Sequence, residues 1–171
     1  MAILFAVTGS GTGTVEARGH SMAVHLGRAE PHHLSTVLEL VRAFHAEEAV
    51  ALAEERRITA VNALLANDHY GHIFLIYAGE DPIGYLAVCF GFSIEFAGRD
   101  AFIDELYVIP KARGLGAGRE ALVRLAETMR DSGIVALHLE VEKSNDRARG
   151  LYHGLGFTPR DHYGLMSMSL L

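Results

Sequence analysis

Hydrophobic positions along the chain switch between a two-residue and a three-to-four-residue spacing, and each switch marks an element. "MAVHLGRA" at 22–29 alternates as a short strand. "PHHLSTVLELVRAFHAEE" then sets Leu34, Val37, Leu38, Val41 and Phe44 at helical spacing behind Pro31, a residue accepted in a helix's first turn. A second helix is expected over 52–66, where Ile58, Val61, Leu64 and Leu65 share a face. "HIFLIYAGEDPIGYLAVCFGF" reads as a hairpin, two β-rich runs joined by an acidic turn that contains proline.

A third strand, "DAFIDELYVIP", follows a turn at Gly98 and runs into "PKARGLGAGREAL" at 110–122. Behind that loop, Leu122, Leu125, Ala126 and Met129 form the apolar stripe of a helix that should stop near Gly133. "IVALHLEV" is a further strand, "NDRARGLYHGLG" a short helix closed by glycine, and "GLMSMSL" a last strand. The order predicts an α/β fold built on one mixed sheet, with no internal repeat.

The first 21 residues stand apart. "AILFAV" is too short to span a bilayer and lacks a positive flank ahead of it, so neither a membrane anchor nor a signal peptide is expected, and the reading is cytoplasmic. "TGSGTGT" imitates a nucleotide loop, but Thr14 stands where a dinucleotide fingerprint needs glycine. Residues 1–21 are therefore taken as a flexible leader and 22–171 as one domain, with Met22 as a candidate start.

Composition adds bounds rather than identity. A chain of 171 residues, half of them hydrophobic, can bury a core as a single domain. Its net charge of -6 argues against nucleic acid as a partner. Cys89, the single cysteine, permits no internal disulfide and is read as a buried structural thiol. His69 and His72 are spaced i, i+3 in "HYGH" but have no third ligand in view, so no metal is expected.

The glycine loop carries the chemistry. Gly114, Gly116 and Gly118 stand between a strand and a helix, where the first helical amides have no intrahelical acceptor and form an anion site. Glycine lets the backbone approach a pyrophosphate without a Cβ in the way. The Gly-Lys-Ser/Thr ending of a triphosphate loop is absent, which leaves phosphate binding without hydrolysis. Lys111, Arg113 and Arg119 read as cations beside those phosphates.

Arg113-Gly114-Leu115-Gly116-Ala117-Gly118 resembles the R/Q-x-x-G-x-G/A acyl-coenzyme A loop of the GNAT superfamily of N-acetyltransferases, and "ELYVIP" resembles the strand that leads into it. Asn145, Ala148 and Tyr152, followed by "LGF", resemble the family's N-x-x-A-x-x-x-Y-x-x-x-G-F segment. The resemblance covers about 22–171. It implies a single-domain, mostly antiparallel sheet flanked by helices, acetyl-CoA as cosubstrate, and attack of an amine on the thioester. It also implies cofactor contacts from Leu106, Tyr107 and Val108, from the loop through Arg119, and from Asn145 and Tyr152. The oxyanion donor falls to the amide at or near Val108, and Tyr152 resembles the general acid.

An alkyl amine is about one part in a thousand neutral near pH 7.4, so a base is needed. Asp104 and Glu105 precede the thioester position; as consecutive strand residues they should face opposite ways, and Glu105 is the favoured base. Relatives resembling polyamine acetyltransferases carry Glu-Asp where this chain has Asp-Glu. Glu95, Asp100, Asp104 and Glu105 together point to a small cationic amine as acceptor. A homodimer is compatible with this reading. A catalytically silent acyl-CoA sensor, or a binder of another phosphate ligand, remain as alternatives.

Overall fold

The five strands lie side by side in chain order. The computed structural model describes residues 23–170. Strands β1 (His25–Arg28), β2 (Gly71–Ala78), β3 (Asp81–Ser93) and β4 (Gly98–Val108) pair antiparallel in succession, and β5 (Ala136–His138) joins β4 in parallel. A parallel partner requires a long crossover. Here it is α3 (Ala117–Asp131). Helices α1 (Leu34–Glu47) and α2 (Glu54–Ala66) separate β1 from β2, and α4 (Asp146–His153) follows β5.

The strands' two faces bury different things. Leu86, Val88, Ile103, Leu106 and Val108 share a core with α3 residues Leu122, Leu125 and Met129 and with Ala148 and Tyr152 of α4. Tyr85, Ala87 and Tyr107 pack instead with Val37, Val41 and Phe44 of α1 and Val61 and Leu65 of α2. The sheet is thus the middle of three layers, as the mixed, mostly antiparallel reading expected.

Three expectations are corrected. The turn before β4 lies at 94–97, with Ala97 at φ +54°, and Gly98 opens the strand. β5 keeps only three residues of the expected run at 134–141, because its pairing with β4 ends at Phe102↔His138. The predicted last strand at 164–170 is irregular, with Leu165, Met166, Met168 and Leu170 exposed. Its serine-methionine alternation satisfies the strand pattern, but a strand also needs a neighbouring strand for its backbone groups, and no strand among the described residues is laddered to it. The leader and Met22 lie outside the described residues. No helix among the described residues is long and apolar enough to cross a membrane.

Gly84 stands opposite Val108 in the β3–β4 register, and a Cβ there would run into the carbonyl oxygen of Tyr107. Gly84→Ala must therefore push β4 away from β3. We expect a loss of about 2 kcal/mol, the ordinary scale of overpacking a core. A lowered urea midpoint with an unchanged slope would register it.

Candidate active site

The site begins with a register break in β4. Ala87 pairs with Glu105 but Val88 pairs with Ile103, so Asp104 is an extra residue opposite the β3 backbone. Ile103 and Leu106 both enter the α3 core, although strict alternation would send them to opposite faces. The two residues between them consequently share the other face, toward α1 and α2. This corrects the expectation that Asp104 and Glu105 face opposite ways.

Glu105 is only 8% exposed. A carboxylate taken out of water costs several kcal/mol unless its oxygens are bonded. Both are. Oε1 lies 2.7 Å from His45 Nε2 on α1, and Oε2 accepts from the Tyr85 hydroxyl at 2.6 Å. Arg57 Nε of α2 donates to His45 Nδ1 at 3.2 Å, which makes Nδ1 the acceptor and leaves Nε2 to donate to Glu105. Arg57 is held in turn by the Leu52 carbonyl at 3.1 Å and by Glu54, whose Oε1 also accepts from Arg42. Burial, with Glu105 beside it, holds the Tyr85 phenol well above its ordinary value, so it remains a donor.

Asp104 has a different environment. Burial first, and the neighbouring Glu105 carboxylate second, push it up to about 6, with Glu140 adding in the same direction. Burial, followed by Asp104 and Glu105, raises the Cys89 thiol to about 11, which keeps this half-buried cysteine an unreactive thiol. One carboxylate is therefore fixed by hydrogen bonds while its neighbour titrates near neutrality.

Further along β4, Ile109 N–H donates to the Ile83 carbonyl of β3 at 2.9 Å. Backbone direction alternates, so the N–H and C=O of Val108 point the other way, into the opening where β5 has left β4. The Val108 carbonyl accepts from Arg113 Nε at 2.7 Å. The amide faces the opening. Leu106, Tyr107 and Val108 are themselves buried, so what they offer a ligand is main chain.

Beyond the 3-10 turn Pro110–Ala112, Gly114 and Gly116 take φ of +77° and +83°. These left-handed conformations strain any side chain, and they turn the backbone sharply into α3. Gly116 is the N-cap and has no side chain with which to cap, leaving the first amides of a 15-residue helix for an outside acceptor. Ala117 and Gly118 are buried against the sheet, while Leu115 and Arg119 are exposed. Arg113, expected beside the phosphates, directs its side chain to the Val108 carbonyl and to Glu47.

In the second motif, Asn145 Oδ1 accepts from the Ala148 N–H at 3.0 Å and caps α4. Ala148 at 1% and Tyr152 at 2% exposure, both on α4's inner face, enter the α3 core, with Phe157 against the tyrosine ring at 5.8 Å. Burial raises the Tyr152 phenol above its ordinary value and keeps it protonated at neutral pH. Tyr152 and the carboxylate pair thus occupy opposite faces of the sheet, which meet at the β4–β5 opening.

Of the four carboxylates expected to form one acidic rim, two have partners of their own. Glu95 pairs with Arg160 at 2.9 Å, and Asp100 lies 3.4 Å from His138. His45, Arg57, Tyr85 and Glu47 were not anticipated. His45 follows Val41 by four residues on the buried face of α1, and that spacing is the signal that could have found it. Among the described residues no group of three or more His, Cys, Asp or Glu is arranged to hold a metal ion.

Comparison with known proteins places the fold in a family. The profile of the acetyltransferase (GNAT) family matches residues 35–157. A thialysine N-epsilon-acetyltransferase from Bos taurus is 36% identical over 78 residues, 46% of this chain and 45% of that protein. A mycothiol acetyltransferase from Beutenbergia cavernae is 43% identical over 63 residues, 35% of this chain and 21% of that one. The matches to these relatives thus span less than half of their length. An integron cassette protein from the mobile metagenome of Cole Harbour Salt Marsh superimposes with a TM-score of 0.75 at 31% identity, covering 85% of this chain and 90% of that chain.

The raised Asp104 carboxyl has a signed consequence for stability. The folded state holds this proton more tightly than the unfolded chain, so the group's contribution is complete below about pH 4 and is lost as pH rises through about 6. Asp104→Asn should therefore be more stable than the parent by about 2 kcal/mol at pH 7.5. Urea titrations from pH 4 to 8 should show that margin closing toward pH 4.

Proposed function

The chain belongs to the acetyltransferase (GNAT) family, and from that membership we propose that it transfers an acetyl group from acetyl-CoA to a small cationic amine. The observation that carries the reading is the opening beside β4, where the Val108 amide faces away from β3 just ahead of a glycine-led helix N-terminus. A pyrophosphate fits the uncapped amides of α3, and the acyl arm would then lie along the free edge of β4. The thialysine and mycothiol acetyltransferases among its relatives support the reaction class.

In this mechanism the amine enters from the α1–α2 face. Asp104, directly or through one water, removes the ammonium proton; the nitrogen lone pair then forms the new N–C bond at the thioester carbonyl. The carbonyl oxygen gathers negative charge against the Val108 N–H. Such a donor is worth roughly 3 kcal/mol in other acyl transfers. As the intermediate collapses the C–S bond breaks, and the Tyr152 hydroxyl gives its proton to the departing thiolate so that coenzyme A leaves as the thiol. The second proton that the nitrogen must lose to become an amide returns through water to the Tyr152 phenolate. This assignment prefers Asp104 to Glu105 as the base, because both oxygens of Glu105 are engaged by His45 and Tyr85 while the Asp104 carboxyl titrates near 6. Glu105 instead supplies a fixed negative charge that favours an ammonium group over a neutral or anionic acceptor.

Release of free thiol from acetyl-CoA across amines of rising positive charge tests the whole reading. We expect kcat/KM to increase with acceptor charge and to fall with salt; a preference for anionic amines, or coenzyme binding without turnover on any amine, would overturn it. Within an active enzyme, Asp104→Asn should remove the pH limb near 6 and lower kcat by about a hundredfold. Tyr152→Phe should lower kcat by ten- to a thousandfold, roughly the span of general acid catalysis, with coenzyme affinity little changed.

A further inference from the structure

We infer that Glu47 is a positioning residue for the acetyl-donor half of the site, acting through Arg113; the inference rests on the acetyl-CoA reading above. Glu47 is the last residue of α1, and Arg113 is the residue at which the glycine loop begins. Arg113 Nη2 donates to Glu47 Oε1 at 3.0 Å and Oε2 at 2.7 Å, while its Nε donates to the Val108 carbonyl at 2.7 Å. The guanidinium carbon lies 5.3 Å from the centre of the Tyr107 ring, and the Tyr107 hydroxyl donates to Glu47 Oε1 at 3.2 Å. Both charged side chains are largely covered, at 19% and 28% exposure.

This arrangement acts on two parts at once. In a strand, the N–H and C=O of one residue point to the same side, so a guanidinium fixed on the Val108 carbonyl also fixes the direction of the Val108 amide. The same side chain anchors the head of a loop rich in glycine, whose ordering on ligand binding would otherwise cost conformational entropy. Arginine suits the task because its rigid fork engages a carboxylate with one nitrogen and a carbonyl with another. Glu47 supplies the charge that keeps the fork turned inward. Two residues earlier on α1, His45 holds Glu105, so the last turn of one helix sets both the donor and the acceptor side.

The test compares the parent with Glu47→Ala, Glu47→Gln, Arg113→Lys and the double variant Glu47→Ala/Arg113→Lys. The readouts are calorimetric affinity for coenzyme A, kcat/KM for acetyl-CoA, KM for the acceptor, and the thermal midpoint. Glu47→Ala should lower coenzyme affinity and kcat/KM for acetyl-CoA by about tenfold, the scale of one hydrogen bond to a charged group. The acceptor KM should stay within about twofold, a split that general loosening of the fold would not give. Glu47→Gln retains an acceptor oxygen and should lose less than about threefold. Because both residues act through one clamp, the double variant should be no worse than the worse single variant.

A folded Glu47→Ala with coenzyme affinity and kcat/KM unchanged would overturn the inference, as would losses that add in full. If Glu47→Ala does not fold, Arg113→Lys decides, because it breaks the same clamp from the other side. It should lower coenzyme affinity and kcat/KM for acetyl-CoA by about tenfold with the acceptor KM within about twofold, and a folded Arg113→Lys without that loss would overturn the inference. A parent that neither binds coenzyme A nor releases thiol sinks the transferase reading and this inference with it. A working parent with an indifferent Glu47→Ala sinks this inference alone.

Discussion

A pleated strand sends successive side chains to opposite faces, so two buried carboxyl groups can lie next to each other on one face only if the pleat is broken. In β4 it is broken by Asp104, the residue that has no counterpart on β3. Before the break, Ala101 and Ile103 fill the α3 core; after it, Leu106 and Val108 do so again. The hydrophobic layer therefore continues uninterrupted past the extra residue. What changes is the other face, where Asp104 and Glu105 come together against α1 and α2. The parallel partnership with β5 also ends just ahead of this point, at Phe102. Carboxylates and free strand edge thus occur at one place because one strand loses its regularity there.

The last turn of α1 answers the electrostatic demand that this creates. Glu105 is tolerable in the interior because His45 and Tyr85 each give it a hydrogen bond, and Arg57 defines which nitrogen of His45 carries the hydrogen. Neutral donors satisfy the oxygens without cancelling the charge. Asp104, itself largely withdrawn from water, sits beside that carboxylate, and burial first and the neighbour second push it up to about 6. A compact arrangement of residues from α1, α2, β3 and β4 so makes two adjacent carboxyl groups behave differently, and no single one of those elements would suffice.

Much of this was legible from spacing. The order of elements, the hairpin, the glycine-led helix and the Asn145–Ala148–Tyr152 segment all carry local signals: alternation, helical stripes, left-handed glycines, an N-cap. The register break carried none, since "FIDELYV" alternates acceptably if Asp104 and Glu105 are allowed opposite faces. It arises from pairing with β3, a non-local fact. Arg113 shows the same limit: its position in the loop motif was visible, but its partner Glu47, sixty-six residues away, was not. "GLMSMSL" failed in the opposite sense, with a local pattern that no strand among the described residues pairs with.

The hydrogen bond from Arg57 to His45 Nδ1 also bears on where protons travel. A histidine conducts a proton by taking it on one nitrogen and yielding another from the second, which must then face an acceptor. Arg57 presents only N–H groups, so a proton handed to His45 has no onward route through α2. In the proposed reaction the hydrogen that Asp104 takes from the amine therefore does not leave by way of His45 and α2, and the route left to it is the mouth on the α1–α2 face through which the acceptor enters. The catalytic cycle is thereby tied to solvent access at that mouth: an acceptor bulky enough to seal it would slow recovery of the base even while it bound well.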